Sequence, residues 1–299
     1  MSIVAKKALS LILVLLLAFS LFLTLSASAD ECEGDKYLSD EIIDIANGSN
    51  DTLGEINDFD RYERAIEQSN ALHGTDYSVK FQSGGADHTH QYICANALRV
   101  LANDKGPCVL TDSSNSAIIV ENADWPDKND IGFIFDTHFY NPYTETNYHG
   151  GATTAKIKAD NYYNEAIEAY QSGNLTLAMQ KIGRGSHFCA DACEAHHANN
   201  KTAVGSNHSA YEKYIDGVRS KCGIPNNSFE QSVYNEALHL SVKQIVRNNS
   251  YASYCLGDKV TGSESNPDYE DAAIATVQNG IMSSVQYFYK FAIQTGMYQ

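Results

Sequence analysis

The sequence predicts an all-α protein built as a single multi-helix domain. Apolar residues recur at three- and four-residue steps along most of the second half of the chain, which is the spacing that buries one face of a helix. The alternation of apolar and polar residues that would predict strands is almost absent. Four of the five prolines lie between the periodic segments, where they interrupt no helix; these are Pro126, Pro142, Pro225 and Pro267.

The chain opens with a segment typical of a secretory signal peptide. Lys6 and Lys7 precede a long apolar run, and residues 27–29 match the small-residue pattern after which signal peptidase cuts. We therefore predict that residues 1–29 are removed and that the protein is secreted. The apolar run is also long enough for an uncleaved membrane anchor, which is the alternative prediction. Residues 30–75 are predicted to be an N-terminal extension or a propeptide.

The helical domain is assigned to residues 76–299, after a short amphipathic helix predicted over 58–72. The first strongly periodic segment of this domain, HTHQYICANALRVLAND, begins at His88. Further helices are predicted over 153–172, 175–195, 208–221, 228–248 and 269–296. The stretch CVLTDSSNSAIIVENADWPDKND has the composition of loop and turn, so we predict a long connection over 101–152 that carries functional residues.

The overall composition bears on partners and on covalent modification. A formal net charge of −16 at pH 7 disfavours binding to nucleic acid, since such binding uses Lys and Arg to displace counterions, and it favours metal cations. Seven cysteines in an exported chain predict disulfides with one thiol left over. Seven Asn-x-Ser/Thr sequons predict a glycoprotein if the host glycosylates.

The stretch GRGSHFCADACEAHHANN, residues 183–200, predicts a metal site. It concentrates imidazoles and carboxylates that would each need a partner if buried. His187 and Asp191 lie four residues apart, so on a helix they share a face and can bind one ion. Cys189 and Cys193 belong to the same stretch, but an oxidising compartment favours disulfides over thiolate ligation.

A second pair with the same spacing follows at His208 and Glu212. His197 lies ten residues beyond His187, about 15 Å along a continuous helix, so it either follows a break or serves a second ion. Together, His197, His208 and Glu212 would leave a position for water, as catalytic zinc sites do. Further donors lie upstream at His90, Asp124 and His138. The remaining histidines are assigned to ordinary hydrogen-bonding roles: His73, His88, His149, His196 and His239.

Five stretches of the chain resemble the bacterial zinc-dependent phospholipases C. They are HQYICANALRVL, NADWPDKND, DTHFYNP, SHFCADACEAHHANN and HSAYEKYID, and they occur in the order of the family over about residues 88–220. The resemblance implies the all-helical fold of that family and a secreted zinc-dependent phosphodiester hydrolase. The implied substrate is a phospholipid met in transient contact with a membrane surface, and the products are diacylglycerol and a phosphorylated headgroup.

The same resemblance implies the residues of the site. One zinc would be held by Asp124, His138, His187 and Asp191, and another by His197, His208 and Glu212. His90 would belong to a third zinc bridged to the first by Asp191, and Asp124 would also be the general base. The family completes this third site with a mature N-terminal tryptophan, whereas the only tryptophan here is Trp125. The third site is therefore expected to be altered or empty unless processing near Tyr77 frees an amine or His88 or His73 substitutes for the tryptophan.

Two other functions are compatible with the sequence. Single-strand-specific zinc nucleases use the same helical frame, but their motif generally ends His-x-x-x-Asp, whereas His208 is followed here by Glu212. A secreted protein that binds zinc without catalysis is the second alternative, because the N-terminal tryptophan is missing. Hydrolysis of phosphatidylcholine, of single-stranded DNA or of neither would distinguish the three functions.

Overall fold

The structure, a computed structural model, describes residues 88–262 and 267–298. The predicted signal peptide, the predicted N-terminal extension and the helix predicted over 58–72 lie outside the described residues. Within the described ranges the backbone forms ten α-helices and no β-strand, which confirms the predicted all-α class. The helices are α1 (Thr89–Lys105), α2 (Ser113–Asn122), α3 (Pro126–Asn129), α4 (Ala155–Gln171), α5 (Leu175–Asp191), α6 (Ala195–Ala198), α7 (His208–Val218), α8 (Gln231–His239), α9 (Val242–Tyr254) and α10 (Tyr269–Gln294).

Helix α10 lies at the centre of the described fold. It packs against α1, α5, α8 and α9, and it has buried residues along most of its length. Tyr287, Phe288 and Phe291 are fully buried, and burial of a Phe side chain contributes roughly 1.5–3 kcal/mol. A Cβ added at Gly280 would lie only 3.1 Å from Ile93 Cδ1, so the glycine allows α1 and α10 to approach closely.

Two glycines fix the position of α5, the helix that carries His187 and Asp191. A Cβ at Gly183 would overlap the Ile119 carbonyl oxygen of α2, and a Cβ at Gly185 would overlap the Tyr287 hydroxyl of α10. These contacts are possible only because glycine has no side chain. They hold α5 against both neighbouring helices immediately before its metal-ligand candidates.

Residues 113–122, which the sequence assigns to a loop, form α2 instead. Asp112 caps this helix, because its carboxylate accepts a hydrogen bond from the Ser114 amide at 3.2 Å. Ile119 is fully buried where α2 packs against α5. Tertiary packing therefore stabilises a helix whose Ser- and Asn-rich first turns favour turns and caps locally.

The single helix predicted over 228–248 is two helices, α8 and α9. Ser241 begins the second one with a capping box: its hydroxyl accepts from the Gln244 amide, and the Gln244 side chain accepts from the Ser241 amide. The helices predicted over 153–172 and 269–296 are confirmed to within two residues at each end. Apolar spacing thus predicted these helices but did not show the cap that divides 228–248.

The described residues bear on two further predictions, the alternative of a membrane anchor and the disulfides. None of the described helices combines the length and the apolar character needed to cross a bilayer. Six of the seven cysteines are described, and no disulfide joins any of them. The seventh, Cys32, lies outside the described residues.

Candidate metal centre

Buried imidazoles and carboxylates from six segments of the fold converge on two adjoining clusters. The first, here named the Asp191 cluster, contains His90, Asp127, His138, His187 and Asp191. The second, here named the Glu212 cluster, contains Glu194, His197, His208 and Glu212. Within each potential ligand group, the donor atoms lie within 4.8 Å of one another and every residue is buried.

The Asp191 cluster is arranged around one carboxylate. Asp191 Oδ2 lies 2.8 Å from His138 Nδ1 and 3.0 Å from His187 Nε2, while Oδ1 lies 3.4 Å from His90 Nε2. Asp127 Oδ1 approaches the same two imidazoles, at 3.4 Å from His187 Nε2 and 3.7 Å from His138 Nδ1. Asp191 can therefore face one ion through each of its oxygens.

These distances fit a zinc ion. Two donors bound tetrahedrally to zinc at about 2.0–2.1 Å lie about 3.3 Å from one another. The distances between donors in the Asp191 cluster, from 2.8 to 3.7 Å, bracket that value. Nitrogen and carboxylate oxygen donors are also the ligand types that zinc accepts.

Hydrogen bonds on the far side of each imidazole point the correct nitrogen into the cluster. His187 Nδ1 lies 2.7 Å from the Ala123 carbonyl oxygen, and His138 Nε2 lies 3.0 Å from the Asp130 carbonyl oxygen. A carbonyl oxygen can only accept, so each of these nitrogens must donate its proton. When the ring is neutral, its other nitrogen carries the lone pair, as in zinc sites with ordered outer partners.

The turn that delivers His138 has an unusual backbone. Ile134 and Phe135 both adopt left-handed conformations, with φ of 53° and 59°. Such conformations cost free energy in non-glycine residues and are found at functional sites, where the surrounding structure enforces them. Here Ile134 is buried and its carbonyl accepts a hydrogen bond from the Tyr148 hydroxyl at 2.5 Å, which secures the turn.

The Glu212 cluster is built by a break in the chain after α5. Helix α5 ends at Asp191 rather than at the predicted residue 195, and the chain turns before α6 carries His197. His208 Nε2 lies 2.8 Å from Glu212 Oε1, and His197 Nε2 lies 3.6 Å from the same oxygen. His197 Nδ1 is 3.4 Å from Asp191 Oδ1, so one imidazole lies between the two clusters.

The charges in both clusters suit a bound cation. Burial alone would raise the pKa of Asp191, but the neighbouring imidazoles of His187, His138 and His90 hold it well below its usual value. Burial would also raise the pKa of Glu212, but the neighbouring His208 and His197 lower it to about 2. Asp191 and Glu212 are thus ionised at neutral pH, as ligands must be.

Asp124, which the sequence predicts as a ligand, is not among the donors that make up either cluster. Asp127, three residues later, takes the position that the sequence assigned to Asp124 among the donors around His187. The backbone at Ala123 and Trp125 is helical, so residues three apart lie near the same face and spacing alone cannot distinguish them.

Asp124 instead lines a cavity of about 420 Å³, and its carboxyl is near enough to His187 for their charges to interact. Gln91, Trp125, Lys128 and Arg184 also line it. Asp124 Oδ1 is buried without a hydrogen-bond partner, and burial raises the pKa of this carboxyl to about 6.

Sequence reasoning missed two members of the clusters, Asp127 and Glu194. Asp127 directly follows Pro126 in the first turn of α3, a position that favours acidic residues. Glu194 caps α6 through a hydrogen bond from the His197 amide at 2.7 Å. An acidic residue three positions before a candidate ligand was the available signal for Glu194. The histidines assigned to ordinary roles and described here lie outside both clusters: His88, His149, His196 and His239.

The chain is similar to proteins of a known family. The family described as zinc dependent phospholipase C matches residues 89–256. A phospholipase C from Listeria monocytogenes is 36% identical over 88 residues, a match that spans 28% of this chain and only 30% of that protein.

Solved structures show a similar fold. The alpha toxin of Clostridium absonum aligns with a TM-score of 0.64 and 21% identity, covering 72% of this chain and 67% of the toxin. The alpha-toxin of Clostridium perfringens from an avian strain aligns with a TM-score of 0.61 and 21% identity, covering 72% of this chain and 66% of the toxin. At these identities the likeness concerns the fold alone.

Proposed function

Since this chain belongs to the zinc-dependent phospholipase C family, we propose that it is a phosphodiester hydrolase that releases diacylglycerol and a phosphorylated headgroup from phospholipids. The observation that carries the proposal is the convergence of the Asp191 and Glu212 clusters, with donor spacings that fit zinc. We further propose that the protein is secreted and meets its substrate in transient contact with a lipid surface.

We assign the proposed ligands from the distances between donor atoms in the two clusters. One ion is assigned to Asp127, His138, His187 and Asp191, and another to His197, His208 and Glu212. His90 is assigned to a third ion shared through Asp191, because its Nε2 lies 3.4 Å from Asp191 Oδ1. Asp127 replaces Asp124 as a ligand because its Oδ1 lies 3.4 Å from His187 Nε2.

In the proposed reaction, Asp124 is the general base. Bound zinc polarises phosphoryl oxygens and lowers the pKa of coordinated water. Asp124 lines a cavity, its Oδ1 lacks a hydrogen-bond partner and its carboxyl has a pKa of about 6, so it can accept a proton from an attacking water near neutral pH. The imidazoles stay oriented during this step because Ala123 and Asp130 hold their outer nitrogens.

A direct assay tests the proposal. The zinc-loaded protein is incubated separately with phosphatidylcholine vesicles and with single-stranded DNA, with and without a chelator. We expect chelator-sensitive release of phosphocholine and diacylglycerol, and no cleavage of DNA. Cleavage of DNA without lipid hydrolysis would replace the proposal with a nuclease, and bound zinc without either reaction would indicate a non-catalytic protein.

A further inference from the structure

Glu194 is a fully buried carboxylate to which the proposed function gives no role. One of its oxygens belongs to the group of donor atoms formed with His197, His208 and Glu212. We propose that Glu194 is a fourth protein ligand of the ion bound in the Glu212 cluster. This inference rests on the zinc binding of the proposed function, but it does not depend on the hydrolytic activity.

The geometry of the cluster supports a tetrahedral site. Glu212 Oε1 lies 2.8 Å from His208 Nε2 and 3.6 Å from His197 Nε2, and Glu194 Oε2 lies 3.8 Å from His208 Nε2. Tetrahedral zinc places its donors about 3.3 Å from one another. Each of these separations is therefore within about half an ångström of the value for a bound zinc.

The hydrogen bonds of Glu194 leave it able to bind an ion. Its Oε2 accepts from the His197 amide at 2.7 Å, and its Oε1 lies 3.2 Å from His196 Nδ1. A carboxylate has about four lone-pair sites, so two contacts leave capacity on the oxygen that faces His208. A fully buried anion needs such an additional partner, because burial of an incompletely compensated charge is costly.

Formal charge gives a second, independent reason. When His197 and His208 are neutral, as zinc ligands must be, Glu194 and Glu212 supply two negative charges, which balance one divalent ion among these four donors. Without Glu194, the ion and Glu212 would leave one uncompensated positive charge. The Asp191 cluster has the same number of negative charges: Asp127 and Asp191 supply two carboxylates around the imidazoles of His138 and His187.

His196 positions Glu194 from outside the cluster. Its Nδ1 faces Glu194 Oε1, and its Nε2 donates to Asn207 Oδ1 at 3.0 Å. Asn207 is itself fixed by donation to the Val260 carbonyl at 2.7 Å. Partners of this kind hold metal ligands in place and tune their affinity.

The test compares Glu194→Gln with wild type as full-length, zinc-loaded proteins. Glutamine can still accept from the His197 amide, so the cap of α6 is kept while the anionic ligand is lost. Zinc retained per chain is measured by mass spectrometry against increasing chelator. We expect one ion to bind more than about 100-fold more weakly, beyond the loss typical of outer partners. The ion assigned to Asp127, His138, His187 and Asp191 should be retained.

Three variants calibrate this result. Glu212→Gln removes an assigned ligand and should match Glu194→Gln. His196→Asn removes an outer partner and should lower affinity only about 10–100-fold. Glu121→Gln changes an exposed acid at the cavity and should leave zinc binding as in wild type.

Cobalt supplies a spectroscopic readout. Four-coordinate Co²⁺ absorbs strongly in the visible range, so Glu194→Gln should lose part of that absorption. Zinc affinity within twofold of wild type and an unchanged cobalt spectrum would overturn the proposal and leave Glu194 as a helix cap. If Glu194→Gln does not fold, Glu194→Asp keeps the charge but shortens the side chain, and wild-type affinity in that variant would overturn it equally. A protein that binds zinc through Glu194 yet hydrolyses no lipid would refute only the proposed function.

Discussion

Two regions of this molecule hold carboxylates away from bulk water in different ways. At the end of α1, Asp104 accepts hydrogen bonds from the Ser228 hydroxyl at 2.6 Å, the Phe229 amide at 2.9 Å and the Tyr234 hydroxyl at 2.5 Å. In the metal centre, four carboxylates instead face the nitrogens of five imidazoles. The first arrangement is satisfied by the protein itself, whereas the second has the donors and the charge to bind cations.

This difference separates a partly buried charge with a structural role from buried charges for which we propose metal binding. Partial burial would raise the pKa of Asp104, but its hydrogen bonds, which include one from Asn103, keep that pKa below its usual value. It therefore stabilises the fold whether or not zinc is present. The metal centre should depend on its ions, since uncompensated buried charge is strongly unfavourable. Each prediction below tests this contrast, beginning with the largest expected effect.

Removal of zinc should abolish hydrolysis and destabilise the metal centre. A ligand that binds only the folded state adds about 2.7 kcal/mol when its free concentration is 100 times the dissociation constant, and this contribution is lost with the ion. Hydrogen exchange should show amides around His197 losing protection while those at Phe229 and Tyr234 keep it. Equal loss of protection in both regions, or no loss in either, would contradict the contrast. Restoration by added zinc is the control.

Substitution of Asp124 and of Asp127 should separate proton transfer from metal binding. Asp124→Asn should retain zinc but lower turnover by about 10²–10⁴-fold, the range for loss of a general base. Asp127→Asn should lose both zinc and turnover. Metal analysis and kcat on the same preparations measure both quantities. Near-normal turnover in Asp124→Asn would remove its role as base, and full zinc retention in Asp127→Asn would remove its role as a ligand.

Asp104→Asn should reduce stability without changing zinc content, at a cost of about 1–3 kcal/mol for the lost charge-assisted hydrogen bonds. The native pKa of Asp104 lies below its unfolded value of about 3.9, so its ionised form stabilises the fold above that value. This contribution is lost as the pH falls through the native pKa. Urea unfolding of the wild type and of Asp104→Asn is measured from neutral pH to pH 3. The difference between their free energies of unfolding should narrow below about pH 4. A constant difference across this range would contradict the assignment.

Ser228→Ala should produce the smallest effect. It removes one of the four donors to Asp104, and a typical hydrogen bond contributes about 0.5–1.5 kcal/mol to stability. Thermal unfolding in the presence of excess zinc measures the change, with zinc content and activity as controls. Reduced zinc binding in this variant would show that the two regions are coupled rather than independent.

How much of the site could be predicted depended on how local its geometry is. The pairs His187 with Asp191 and His208 with Glu212 could be predicted because a four-residue spacing on a helix fixes their proximity. The position of Glu194 could not, because it depends on the turn between α5 and α6. Asp127 was missed for a related reason: it shares a helical face with Asp124, and only tertiary contacts show which one meets the imidazoles.

Prediction of the helices was also limited to what local sequence patterns contain. Long periodic helices such as α4 and α10 followed from apolar spacing, whereas α2 required contacts with α5 that no local pattern contains. The division between α8 and α9 required recognition of the cap at Ser241.

The two glycines of α5 extend the vulnerability of the metal centre beyond its own ligands. A side chain at Gly183 or Gly185 would force α5 away from α2 or α10, and the same rigid helix carries both His187 and Asp191. Those residues would then move together, along with the turn that leads to His197. Inherited changes at positions with no chemistry of their own could thus inactivate the protein as completely as loss of a donor.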